Sequence, residues 1–169
     1  MDQFVVKRVV AFLAEVGCLF GDAIVKSDQE PAVKTIVDEI GRHRAAAGGG
    51  RWVVECSPVG DSASNGVIER AIQSVQAQVR VMKLALENRY KVELPVKHVL
   101  MPWMIEYAAF LLNRCEVGHD GKTAYERLKG KRATCLGIEF GEVVHWKASH
   151  AGGALGKLSS VWKHGVYLG

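Results

Sequence analysis

The chain has 169 residues, of which 49% are hydrophobic and 24% charged, and a net charge of +4. These values exclude a disordered segment, a collagen-like repeat and a coiled-coil rod, and suit one domain or one domain with an appendage. The uncharged run Tyr107 to Leu112 falls far short of the roughly 20 residues of a membrane helix, and the N-terminus lacks signal-peptide order, so an intracellular protein with no membrane partner is expected.

Residues 2 to 17 read as a helix, with Val5, Val9, Phe12 and Val16 on one face, Asp2 at its start and Gly17 at its stop. Ala23 to Lys26 is a short β-branched strand. Pro31 opens a second helix through Val33, Ile36, Val37 and Ile40, which fades into Ala45–Ala47 and a flexible connector, Gly48–Gly50. Arg51 to Cys56 is a second strand. The helix between these strands is a crossover, so the two should pair in parallel. A small-residue loop, Ser57 to Gly66, leads into a long helix from about Val67 to Asn88. A further helix spans roughly Pro102 to Arg114, and a short one Thr123 to Lys129. From Gly130 glycine becomes frequent, and Glu139 to Lys147 and Val161 to Leu168 read as strands. The expected domains are therefore 1–129 and a β-rich segment, 130–169.

On the long helix Ile68, Ile72, Val75, Val79, Met82 and Leu86 form a sustained apolar face that must be buried. A second stripe, Glu69, Gln73, Gln76, Arg80, Lys83 and Glu87, is wholly polar. Two acids stand where α/β folds collect ligands: Asp28 at a strand end, and Glu69 at a helix start after the second strand. Carboxylates in such places bind hard cations through oxygen, and paired magnesium ions assist phosphoryl transfer. Taken alone, Asp28 is better explained as a cap before Pro31, and Glu69 as an acid at the positive end of a solvated helix face.

Neighbouring words bear on that choice. Ser57-Pro58 … Ser64-Asn65-Gly66-Val67-Ile68-Glu69-Arg70 resembles the "S-P … N-G-x-x-E-R" segment of copia-type retrotransposon integrases. Val25-Lys26-Ser27-Asp28 resembles the strand ending in that family's second catalytic aspartate. Phe110-Leu111-Leu112-Asn113-Arg114 is similar to its "L-L-N-R" helix end. Thr123 to Lys131 is similar to its "T-P-Y-E-x-L-x-G-K" stretch. Phe140-Gly141 with Val143-Val144, and Gly165 to Gly169, look like the words that follow. They come in family order and span about residues 24 to 169.

The resemblance implies an α/β fold: a partial ribonuclease H-like core, a mixed sheet with flanking helices, followed by a small β-rich segment. It implies catalytic and metal-ligand roles for Asp28 and Glu69, with Mg2+ or Mn2+ as cofactor. Forty residues separate these acids, more than the family commonly has, an excess that fits a longer connector at Ala45–Gly50 and costs little free energy. The chain is expected to begin at the helix that follows the family's first three strands. It would then lack the first aspartate and the H-H-C-C zinc module, hold metal weakly or not at all, and be a piece of a mobile-element polyprotein.

The implied function is DNA integration by metal-dependent polynucleotidyl transfer when complete. The alternatives are a catalytically inactive nucleic-acid-binding remnant of the same family and a small α/β protein-interaction domain. DNA is the implied partner, with homo-oligomers and a nuclear location expected from the family's role. Asn65, Gln73, Gln76, Arg80 and Lys83 are the expected nucleic-acid contacts. The cysteines (Cys18, Cys56, Cys115, Cys135) form no C-x-x-C pair and are expected to be reduced and mostly buried. The histidines (43, 98, 119, 145, 150, 164) show no tight metal spacing and are expected as surface or capping residues. The four tryptophans, spread over separate elements, are expected in the core.

Overall fold

The computed structural model describes residues 3–27, 29–56, 66–147 and 161–169. Their order is α1 (Gln3–Glu15), β1 (Ala23–Ser27), α2 (Pro31–Ala46), β2 (Trp52–Cys56), α3 (Gly66–Tyr90), α4 (Met101–Cys115), α5 (Ala124–Lys129), β3 (Val143–Lys147) and β4 (Trp162–Val166). The chain is thus mixed helix and strand with small sheets, and its contacts divide it into two units, Met1–Ala71 and Ile72–Gly169.

In the first unit β1 and β2 pair in parallel, as the crossover α2 requires, in a register running from Ala23↔Trp52 to Ser27↔Cys56. Both helices of this unit stop in the same way. Gly17 and Gly48 take left-handed backbone, at φ +78° and +81°, which glycine adopts without steric cost. Cys18 N–H then donates to Leu13 O, and Gly49 N–H to Arg44 O, closing two Schellman turns. The glycine run after α2 is therefore a helix stop with defined hydrogen bonds, rather than the flexible connector expected; Gly50 N–H also donates to Phe20 O at 2.8 Å.

Arg44, in the last turn of α2, locks the two stops together. It is 0% exposed. Its Nε donates to Leu19 O at 3.1 Å, and its Nη2 to Cys18 O at 3.0 Å and to Gly21 O. The guanidinium also lies 4.9 Å from the centre of the Trp52 ring, a cation–π contact. Three carbonyls thus replace part of the water that the buried charge gives up, while the buried Nη1 has no hydrogen-bond partner among the described residues. On α1 the buried residue is Val6, with Val9, Val10, Leu13 and Val16 half-buried. The expected face is shifted: Val5 and Phe12 are exposed, because α1 packs on α2 through the Val6 side.

The second unit has an apolar core. Val79, Met82 and Leu86 of α3 meet Met104, Tyr107 and Ala108 of α4, with Leu94 and Phe140 completing the cluster. Tyr107 stacks on Phe110, with centroids 5.5 Å apart, and meets Tyr167 edge-on at 5.9 Å, the geometries that aromatic quadrupoles favour. Burial and a hydrogen bond with Tyr167 push the Tyr107 hydroxyl up to about 12. Segment 130–169 is not a separate core: Phe140, Tyr167 and Leu168 all join this cluster. β3 and β4 pair antiparallel.

Several of the motif residues have local structural jobs. Thr123 and Glu126 form a reciprocal capping box on α5. Arg114 lies over Phe110 at 3.8 Å and over Tyr125 at 4.8 Å, joining the end of α4 to α5. Gly141 N–H donates to Tyr167 O at 2.7 Å, and a Cβ there would lie 2.0 Å from Leu86 Cδ2. Only glycine fits that contact.

Two composition-based expectations are corrected. All four cysteines are free and exposed: Cys56 and Cys115 end β2 and α4, and Cys18 and Cys135 lie in connecting segments. Trp103, Trp146 and Trp162 are about half exposed; Trp146 and Trp162 lie on a two-stranded hairpin, and a pair of strands buries little. Among the described residues no helix is long and apolar enough to cross a membrane.

Candidate functional site

The parallel register sets the geometry of the candidate site. Ser27 and Cys56 are partners at the carboxyl ends of β1 and β2. The chain therefore leaves both strands on the same edge of the sheet, where open α/β sheets gather ligands. Asp28 follows Ser27 directly. Asp28 and Asn65 lie outside the described residues, as do Asp2 and the Ser57–Ser64 loop.

Glu69 is described. It is the acid of the first turn of α3 and is exposed. The positive end of the helix favours an anionic side chain there. Its carboxylate is the right donor for a hard cation. Among the described residues, however, no three His, Cys, Asp or Glu side chains come together as a metal site.

Along α3, Gln73, Gln76 and Arg80 are exposed. Lys83 is placed differently. Its Nζ donates to Glu87 Oε1 at 2.7 Å, and the side chain is only 28% exposed. The same carboxylate oxygen accepts Leu94 N–H at 2.8 Å. Together the Lys83 bond and the Leu94 bond hold the Glu87 carboxyl below its ordinary range. Lys83 thus helps anchor the 91–100 segment to α3, which leaves Arg80 as the better-exposed cation of the expected stripe.

The apolar face of α3 is buried only in part. Val79, Met82 and Leu86 are in the core, whereas Ile68 and Ile72 are 59% and 51% exposed. The expectation that this face is buried from Ile68 onward is therefore corrected: α4 and Phe140 cover the later turns alone.

An apolar cleft of about 250 Å³ lies in the second unit, lined by Leu86, Leu94, Leu100, Val166, Leu168 and Tyr90 among others. The Tyr90 hydroxyl donates to Gly141 O, so the cleft presents no group equipped for chemistry. Histidine spacing gave no sign that His145 and His164 would come together across the β3–β4 hairpin; only a strand-register argument could have shown it.

Compared with known proteins, the chain matches no family model and no curated protein sequence.

Proposed function

We propose that this chain derives from the catalytic core of a copia-type retrotransposon integrase and acts on DNA, with metal-dependent strand transfer as the activity of the complete core. The observation that carries the reading is the ordered series of words from Val25 to Gly169. It is supported by the parallel β1–α2–β2 unit, whose carboxyl ends stand side by side at Ser27 and Cys56, with Asp28 next in sequence. Asp28 and Glu69 are the proposed metal ligands and catalytic acids, and magnesium or manganese would supply Lewis-acid stabilisation of the transferring phosphate. Gln73, Gln76 and Arg80 are the proposed DNA contacts, since glutamine can bond phosphate or base edges and arginine neutralises phosphate.

The second reading is a DNA-binding remnant of the same family without catalysis, for which the exposed polar stripe at Gln73, Gln76 and Arg80 is sufficient.

Duplex binding by the full chain, measured by fluorescence anisotropy over a salt series, tests the DNA reading. Arg80→Ala should reduce the slope of log affinity against log salt by about 0.9, the value for one phosphate contact. Lys83→Ala should leave the slope nearly unchanged. Absence of duplex binding at low salt would overturn the reading. Paramagnetic broadening by Mn2+ separates its two forms: broadening of both the 28 and 69 regions, lost in Glu69→Gln, supports a metal site, and broadening at neither supports the remnant.

A further inference from the structure

His145 of β3 and His164 of β4 are directly opposed in the antiparallel register. Side chains so opposed leave the sheet on the same face, with Cβ atoms about 4.5–5.5 Å apart. Here the rings turn their outer nitrogens toward each other. The Nε2 atoms are 3.2 Å apart, the ring centres 4.2 Å, and the ring planes are inclined at 58°. Both rings are exposed to solvent.

Two imidazole nitrogens bound at 2.0–2.1 Å to one tetrahedral metal ion are about 3.3 Å apart. The pair therefore already holds the spacing of a chelate. We propose that His145 and His164 form a two-histidine site for a borderline transition-metal dication such as zinc, nickel or copper, with water in the remaining positions.

Its neighbours define what it selects. The next pairs on the same face are Val143↔Val166 and Lys147↔Trp162, so neither strand adds a carboxylate on this face. Imidazole nitrogen suits zinc, nickel and copper, while magnesium and calcium require oxygen donors. The Lys147 ammonium opposes any cation and keeps the affinity modest. No third His, Cys, Asp or Glu completes a cluster among the described residues, which leaves coordination positions open to water. This chemistry is different from that expected of Asp28 and Glu69, which are oxygen donors. Occupancy would tie β3 to β4, and so fasten the strand that leads into Tyr167, a residue packed against the core of the second unit. A ligand that binds only the folded hairpin stabilises it by mass action.

The test is calorimetric titration of the full chain, stripped by chelator and with its four exposed thiols blocked by alkylation, with nickel, zinc or copper salts. One saturable site is expected. Because two donors on one frame make the second bond intramolecular, His145→Ala and His164→Gln should each weaken binding by at least about tenfold. His98→Ala should bind as the parent does. Cu2+ should also quench tryptophan fluorescence, since Trp162 shares the face of the pair, and each variant should need correspondingly more copper for the same quenching. Millimolar magnesium should not compete. Both substituted side chains are exposed on the hairpin, and the near-ultraviolet circular dichroism of each variant checks that the core is intact. Absence of a saturable site, or single variants that bind metal like the parent, would overturn the proposal.

Discussion

The two units of the chain are held together by different means. The second has a contiguous apolar cluster of eight buried residues drawn from two helices and two connecting segments. The first is organised around a buried charge. Arg44 shares the interior with Val6, Val37 and Ile40, while Phe4, Phe12, Phe20 and Ile24 are exposed. Its sheet contains two parallel strands. Parallel sheets are normally covered on both faces, and a pair of strands alone buries little. The hydrogen-bonded arginine therefore does for the first unit part of what apolar contact does for the second. Such an arrangement is directional, and it fails when a single group is lost.

The largest expected effect follows from that difference. Arg44→Ala would strand the carbonyls of Cys18, Leu19 and Gly21 and open a void beside Trp52. A loss of about 4 kcal/mol is expected, in the range for breaking a buried charged network. Amide exchange should then rise across α1, α2 and β2, while α3 beyond Ile72 and α4 stay protected. Equal loss of protection in both units would break the comparison by showing one cooperative body.

Met104→Ala is the reciprocal experiment. Met104 is fully buried at the centre of the second cluster, so truncation should cost about 3 kcal/mol through lost transfer energy and a cavity. Chemical denaturation followed by Tyr and Trp signals, with exchange as the local readout, should show weakening confined to the second unit.

The smallest effect concerns caps and acids. Thr123→Ala should cost about 1 kcal/mol by removing the N-cap of α5. Glu126, held down by the Thr123 backbone bond and by Arg132, and Glu87, held down by Lys83 and Leu94, both titrate below their ordinary value of 4.5. Asp120 is held well below its ordinary range by a two-pronged bond from Arg127. A carboxyl depressed in the folded state binds fewer protons there than in the unfolded chain. Its contribution is therefore full above the unfolded value and is lost as pH falls through the folded one. All three acids lie in the second unit, so acidification below about pH 4.5 should weaken that unit progressively. A pH titration of its exchange protection that stays flat down to pH 3 would remove these acids from its stability.

Much of the local structure was legible in the sequence. Pro31 and Thr123 marked helix starts, Gly17 a stop, and the β-branched runs at 23–27 and 52–56 appeared as strands paired in parallel. Their crossover connection admits essentially one pairing, which is why that inference worked. For α3 the periodicity gave the correct face but not its extent. Periodicity reports which residues share a side; it does not report how far a covering element reaches, and here cover is absent at Ile68 and Ile72. Of the candidate site, the sequence named Glu69 and the polar stripe, and the structure then separated Arg80 from Lys83. No pattern within α3 could have shown that Glu87 also receives Leu94 N–H, a partner from beyond the helix end.

By itself, then, the sequence determined the helices, the crossover between β1 and β2 and the helix-ending glycine at Gly17, because each depends on dihedral preferences and neighbours within a few residues. Tertiary structure decided which of two apolar sides of α1 was buried, that Arg44 became the centre of a unit, and that four cysteines remained exposed. It also brought His145 and His164 to within 3.2 Å of each other. These outcomes depend on which surfaces meet and in what register, and a change of one residue in register would turn either histidine to the opposite face of its strand.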